Sequence, residues 1–204
     1  MPKRIEQARI LLLEGTLELK KLDTDAKITI NEASGLTTFK EGEEKVIRSQ
    51  IDAAVKAGAN VIFCEKGIGV AAQNYLARLG ILAVRRVSRE DMKMLSLATG
   101  ARLVGDIMTV SPGDLGSAAL VEERKIGKDK HMIFVEGCEK AKAVSIILHG
   151  VSEQFLEEME RAVDDALNVV LDVIRSRKIV PGGGAPEIAV AENLRQYAST
   201  LQGR

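Results

Sequence analysis

The middle of this chain constrains its fold most, because short apolar runs and helical stripes alternate there at nearly even spacing. Asn60–Cys64 reads as a buried strand, Val70–Leu79 as a helix, Ile81–Val84 as a strand, Arg89–Thr99 as a helix and Arg102–Val104 as a third strand. A βαβα run of this kind demands a parallel sheet flanked by helices, since parallel neighbours need a crossover that a helix supplies. Of the 204 residues 46% are hydrophobic but only 3% aromatic, so the core must come from Ala, Val, Ile and Leu.

On the N-terminal side, Arg9–Glu14, Thr16–Leu22 and Ala26–Asn31 alternate with the period of two expected of half-buried strands. A polar stretch, Glu32–Glu44, leads into a helix in which Val46, Ile47, Ile51, Ala54 and Val55 share a face and Gly58 is the stop. On the C-terminal side a loop over Val110–Gly116 precedes Ala118–Ile126, His131–Glu136 and Ala143–Leu148. These three read as antiparallel strands that form a second β layer with the opening ones. From Glu153 to Arg175 the apolar residues, Phe155 to Ile174, make one helical stripe with Ser152 as its N-cap. Pro181-Gly182-Gly183-Gly184 breaks the chain, and Ile188, Ala191, Leu194, Ala198 and Leu201 stripe a last helix begun near Pro186. Nothing later in the sequence covers the apolar faces of these two helices, as if a larger architecture were starting.

Several function classes are disfavoured. Lys and Arg number 29 and Asp and Glu 29, which leaves no net charge to drive nucleic-acid binding by counterion release. No apolar run approaches the roughly 20 residues of a membrane span, and MPKRIEQ holds no signal-peptide core, so a soluble cytoplasmic chain is expected. Cys64 and Cys138 stand apart without a CxxC and read as buried thiols; His131 and His149 lack ligand spacing, so no metal site is expected.

Four features remain. Gly67-Ile68-Gly69 lies between a strand and a helix, but with Ala72 in the last glycine place and Arg85-Arg86 where an acid belongs, it fits a turn better than a dinucleotide loop. Gly182–Gly184 before a helix would let a backbone approach a phosphate, with a flexible connector left equally open. Asp164 and Asp165 lie on the preceding helix, where an aspartate orients water or magnesium in phosphoryl transfer but usually is simply solvated. Leu36 and Phe39 stand in a polar stretch, either gripping other proteins or closing a small core under the loop. No GxxxxGK[ST] occurs and no Ser or Cys pairs with a His in sequence, so the catalytic set is incomplete.

Taken together, MPKRIEQARILLLEGTLELKK, KAGANVIFCEKGIGVAAQNYLA, GILAVRRVSREDMKMLSLATGARLV, LVEERKIGKDK, AVSIILHG, EEMERAVDDALNVV and IVPGGGAPE resemble the group II chaperonins, in the family's order and across essentially the whole chain. The resemblance implies an α/β fold: an apical domain over residues 1–150 with a βαβα parallel layer, an antiparallel β layer and a helical protrusion at about 32–57. An intermediate-domain helix over 151–180 and the start of the C-terminal equatorial segment over 181–204 would follow. It implies a molecular chaperone that binds unfolded proteins, with Leu36 and Phe39 on the protrusion and Gln73, Asn74 and Ala77 on the next helix as client contacts. Other chaperonin subunits in a ring would be its partners, with no nucleic acid and no membrane. By the same resemblance Asp165 matches the catalytic aspartate of a complete subunit, Gly182, Gly183 and Gly184 match its nucleotide loop, and ATP and Mg are the parent family's cofactors. The family's N-terminal GDGTT-type phosphate loop has no counterpart here, so this chain alone is expected to bind no cofactor and to be no ATPase. Gly42 in the protrusion weakens a helix by about 1 kcal/mol, so part of the lid segment is expected to lack order. The rival readings are a stand-alone nucleotide-binding enzyme and an oligomerising structural module.

Overall fold

The computed structural model describes residues 1–18, 33–127 and 130–201, apart from the side chains of 33–41 and 43. The expected strand at Ala26–Asn31 and most of that at Thr16–Leu22 lie outside the described residues. Leu17, the described core of the latter, makes an isolated parallel bridge with Ile68. The chain divides into two compact units, Met1–Ser145 and Ile146–Arg204.

The first unit is built on strand β1 (Arg4–Leu13), whose last four residues, Ile10–Leu13, are buried. Helix α1 (Ala33–Ala57) follows, then β2 (Val61–Cys64), α2 (Val70–Arg78), β3 (Leu82–Val84), α3 (Arg89–Thr99) and β4 (Leu103–Val104). Two 3₁₀ turns, Ile107–Thr109 and Pro112–Asp114, lead into β5 (Gly116–Ile126) and β6 (Lys130–Glu136). These strands make one six-stranded sheet, ordered β3-β2-β1-β5-β6, with β4 also paired to β1. β2 runs parallel to β1 over Ile10–Leu13, and β4 pairs in parallel with Leu12 and Leu13 from the opposite edge. β5 pairs antiparallel along Arg4–Ile10. The parallel and antiparallel parts therefore both form, and they share β1 instead of stacking as separate layers.

Alternation along β1 decides the core. Leu11 and Leu13 face α1 and α2, joining Ile47, Ile51, Ala54, Ala72 and Leu76. Ile10 and Leu12 face the other way, joining Met92 of α3 and Val121 of β5. Helices thus cover both faces of the parallel part, as buried strands rich in Leu, Ile and Val require. The backbone of α1 is helical on both sides of Gly42. Its anchor is the buried row Ile47, Ile51 and Ala54; Val46 and Val55, at the margins of that stripe, are exposed.

β1 also holds a local bend. Gln7 takes a left-handed backbone (φ 51°), and the Asn60 side chain spans it: Asn60 Nδ2 donates to the Gln7 carbonyl at 3.2 Å, and the Arg9 N–H donates to Asn60 Oδ1 at 2.6 Å. Asn60 thereby satisfies β1 just before β2 begins to pair.

The expected strand at Ala143–Leu148 does not form. The segment has no regular structure, and Val144 is 78% exposed. A strand needs a neighbour to take its backbone hydrogen bonds, and among the described residues none lies beside it.

The second unit contains α4 (Glu153–Ser176) and α5 (Ala185–Thr200). Ser152 caps α4, its hydroxyl accepting from the Phe155 N–H at 3.3 Å, and Arg177 closes it in a left-handed conformation, its N–H reaching the Val173 carbonyl at 2.8 Å. No residue of α4 or α5 is buried.

Candidate functional site

Helix α2 carries Gln73, Asn74 and Ala77 together, and it packs beside α1. Gln73 is half-buried and committed inward: Nε2 donates to the Ile68 carbonyl at 2.6 Å. Asn74 is exposed and lines a hollow of about 120 Å³ between the two helices, together with Arg48 and Tyr75. Ala77 is half-buried. Of the expected α2 contacts, Asn74 alone is thus both exposed and unspent on the helix's own start. Leu36 and Phe39 fall on α1, but their side chains lie outside the described residues.

Tyr75 escaped the sequence reading and ties the two helices. Its hydroxyl donates to Asp52 Oδ1 at 2.9 Å, and the Arg48 guanidinium lies over its ring, 5.7 Å from the centroid. Donation to the Asp52 carboxylate pushes the phenol above its ordinary pKa, with a smaller push from desolvation. As the one aromatic of α2, Tyr75 offered a signal; Arg48 and Asp52, one turn apart on α1, offered the matching half.

The Gly67-Ile68-Gly69 turn is filled by the chain itself. A Cβ on Gly67 would stand 2.7 Å from Glu18 Cδ and 2.9 Å from Glu18 Oε2. Leu17 N–H donates to the Gly67 carbonyl, Gly69 N–H donates to the Leu17 carbonyl, each at 3.2 Å, and the Thr16 hydroxyl donates to the Gly67 carbonyl at 3.1 Å. A carboxylate sits where a dinucleotide phosphate would approach, so these glycines admit Glu18 and not a nucleotide. The buried Cys64 thiol lies beneath, donating to the Gly15 carbonyl at 3.2 Å, and burial pushes its pKa up. Half-buried Cys138 is likewise pushed up by desolvation. Neither has the depressed pKa of a reactive thiol.

In the second unit, Asp165 is exposed in the middle of α4, roughly 16 Å of helix rise before the end at Ser176. Gly182–Gly184 form the turn into α5. Gly183 and Gly184 hold φ of 72° and 82°, which side chains rarely adopt, and Gly182 and Gly183 face open space. An open glycine backbone ahead of a helix fits a nucleotide phosphate. The metal has weaker support, since among the described residues no three His, Cys, Asp or Glu side chains converge. No hydrogen bond joins Asp165 to the glycine turn among the described residues.

The comparisons with known proteins agree along the whole chain. Residues 1–204 match the model of the TCP-1/cpn60 chaperonin family. The chain is 48% identical over 204 residues to the thermosome subunit alpha of Archaeoglobus fulgidus, and covers 100% of this chain and 37% of that one. It is 49% identical to the thermosome subunit of Methanopyrus kandleri, with the same 100% and 37% coverage. The open-state monomer of a group II chaperonin from Methanococcoides burtonii superposes with a TM-score of 0.75 at 38% identity, over 100% of this chain and 44% of that one. The chain thus spans little more than a third of the length of the curated relatives it matches. With a mixed α/β fold, a family match over residues 1–204 and near-half identity to thermosome subunits, the chain belongs to the TCP-1/cpn60 chaperonin family, on its group II branch.

Proposed function

We propose that this chain is the client-binding region of a group II chaperonin subunit, working in the cytoplasm in a ring with other subunits. Residues 1–150 act as its apical domain, with the protrusion at 32–57; 151–180 act as the intermediate-domain helix and 181–204 as the start of the equatorial segment. The observation that carries this reading is the likeness of all 204 residues to a group II chaperonin monomer. The α1–α2 pair is the client face, through Asn74 beside the hollow, Ala77 one turn further along α2, and Leu36 and Phe39 nearer the start of α1. Contacts of this kind are individually weak and tolerant of sequence, as capture and release of many clients require.

Asp165 and Gly182–Gly184 belong to a nucleotide site completed elsewhere in a full subunit. ATP bound there would supply the free energy of a conformational cycle; the glycine backbone would hold phosphate and Asp165 would orient water. On its own the chain is expected to hydrolyse no ATP, since hydrolysis needs water oriented against a phosphate held by a completed site. The Glu18-filled turn weighs against a stand-alone nucleotide enzyme.

Light scattering from a chemically unfolded client diluted into buffer tests the reading. The chain is expected to suppress aggregation equally with and without MgATP, and Phe39→Asp to weaken capture while leaving the fold intact. A well-folded Phe39→Asp protein with undiminished capture removes Phe39 from the client face. No suppression at all by the unaltered chain overturns autonomous binding. Exposed Phe155, Val170 and Ile174 on α4 support a second reading, oligomerisation through that stripe. Sizing the chain with and without residues 151–204 separates the two.

A further inference from the structure

Strand β6 ends the sheet, bonded to β5 on one side and, among the described residues, to no strand on the other. Such an edge offers a row of backbone N–H and C=O groups to any extended chain that matches it. Soluble proteins commonly blunt their edges with a proline, a bulge or a very short strand. β6 has none of these. Its seven residues, Lys130–Glu136, pair with β5 in continuous register and include neither proline nor glycine. Met132 and Ile133 stand 45% and 38% exposed on it.

The sequence of β6 is complementary to itself. Laid antiparallel against a second copy about a two-fold axis at Ile133, it sets Lys130 opposite the partner's Glu136 and Met132 opposite the partner's Phe134, and the symmetry repeats both pairs. Every residue then meets one of the same parity. Outward backbone groups therefore meet outward ones, and each side chain keeps its face of the sheet. A shift of two residues loses the pairing of Lys130 with Glu136. Glu136 already accepts from Arg124 at 2.6 and 3.0 Å, yet its surroundings stay acidic, because Glu6, Glu122 and Glu136 surround only Arg4 and Arg124. An incoming lysine restores the balance. We propose that two copies of this chain join edge to edge through β6, continuing the sheet across a two-fold axis at Ile133. This contact depends neither on client capture at α1 and α2 nor on the apolar stripe of α4.

Disulfide trapping in the full chain is the test. Residues opposite each other on antiparallel strands have Cα atoms about 4.5–5.5 Å apart, inside the span of about 4.4–6.8 Å that a disulfide bridges. Ile133→Cys should therefore link to its own copy under diamide. Met132→Cys, which faces Phe134 and not itself, should link about tenfold more slowly. The parent, with Cys64 buried and Cys138 half-buried, measures the background. Without oxidant, sedimentation velocity over a concentration series should show the parent exchanging between monomer and dimer. Lys130→Glu sets like charges across both end pairs and should raise the dimer dissociation constant about fivefold or more, with the thermal midpoint unchanged. Ile174→Asp on α4 should leave that constant where it was. The proposal is overturned if Ile133→Cys links no faster than Met132→Cys, or if Ile174→Asp dissolves the dimer and Lys130→Glu does not, which assigns association to α4. A parent that stays monomeric while an unrelated extended peptide shifts the amides of β6 also overturns it, and assigns the edge to other polypeptides.

Discussion

Helices α1 and α4 are nearly equal in length, 25 and 24 residues, and each carries an apolar stripe, yet their fates differ. α1 lays Ile47, Ile51 and Ala54 on the sheet, where Ile51 and Ala54 are fully buried. α4 separates its apolar and polar faces more sharply, yet leaves Phe155 53% and Ile174 65% exposed. The difference is cover: the first unit brings a sheet to its helices, and the second contains only helices. A helical stripe therefore tells which face gains from burial, by about 25 cal/mol per Å² of apolar surface, but not whether a partner is present to bury it.

Core truncation breaks or confirms this contrast most directly. Ile51→Ala is expected to destabilise the first unit by about 2–5 kcal/mol, whereas Val170→Ala on α4 should stay within about 0.5 kcal/mol. Urea unfolding of both variants checks the pair, and equal losses would mean that α4 is buried in solution after all. Next in size, Asn60→Ala should cost roughly 1–3 kcal/mol, because it strips the partners from the Gln7 carbonyl and the Arg9 N–H at the bend of β1. An Asn60→Ala midpoint indistinguishable from the parent would show that water replaces the clamp.

Acid should act on the first unit through Asp114. The Ser111 hydroxyl at 2.6 Å and N–H at 3.0 Å both donate to its Oδ2 and hold its carboxyl below the usual aspartate range. Because the folded pKa is the lower one, the contribution of Asp114 is complete above about pH 4 and is lost as pH falls through the folded value. Glu136, held low chiefly by hydrogen bonds from Arg124, follows the same sign. Asp114→Asn should therefore unfold at a lower urea concentration than the parent at pH 7, and the gap should close near pH 2; a gap constant with pH would remove the linkage. A further small effect belongs to the second unit. Arg177→Gly relieves a left-handed residue at the end of α4 (φ 52°) and should raise its helicity, a gain of about 0.5–1 kcal/mol readable by circular dichroism.

Much of this fold was legible because local rules and tertiary packing agreed. α3 occupies Arg89–Thr99 as its stripe predicts, with Ser88 as a cap accepting from the Asp91 N–H at 3.0 Å. β2 and α2 differ from the expected limits by a residue at one end. Ala143–Leu148 misled because β-prone residues state a preference that only a neighbouring strand can satisfy. The candidate site was legible in part: the spacing of Gln73, Asn74 and Ala77 on one helix was readable, but the inward hydrogen bond of Gln73 was not. Nor could sequence show that Glu18 fills the glycine turn, since the two are brought together by the path of the chain between β1 and α2.

Periodicity and capping residues, which act within a few residues, determined by themselves where most helices and strands lie, and the order of the segments carried the family. The tertiary structure alone decided that β1 is shared by the parallel and antiparallel parts, that the chain reverses between β1 and β4, and that one amphipathic helix is buried while another is not. Those outcomes depend on contacts between residues far apart in sequence, whose free energy exists only once the chain has brought them together.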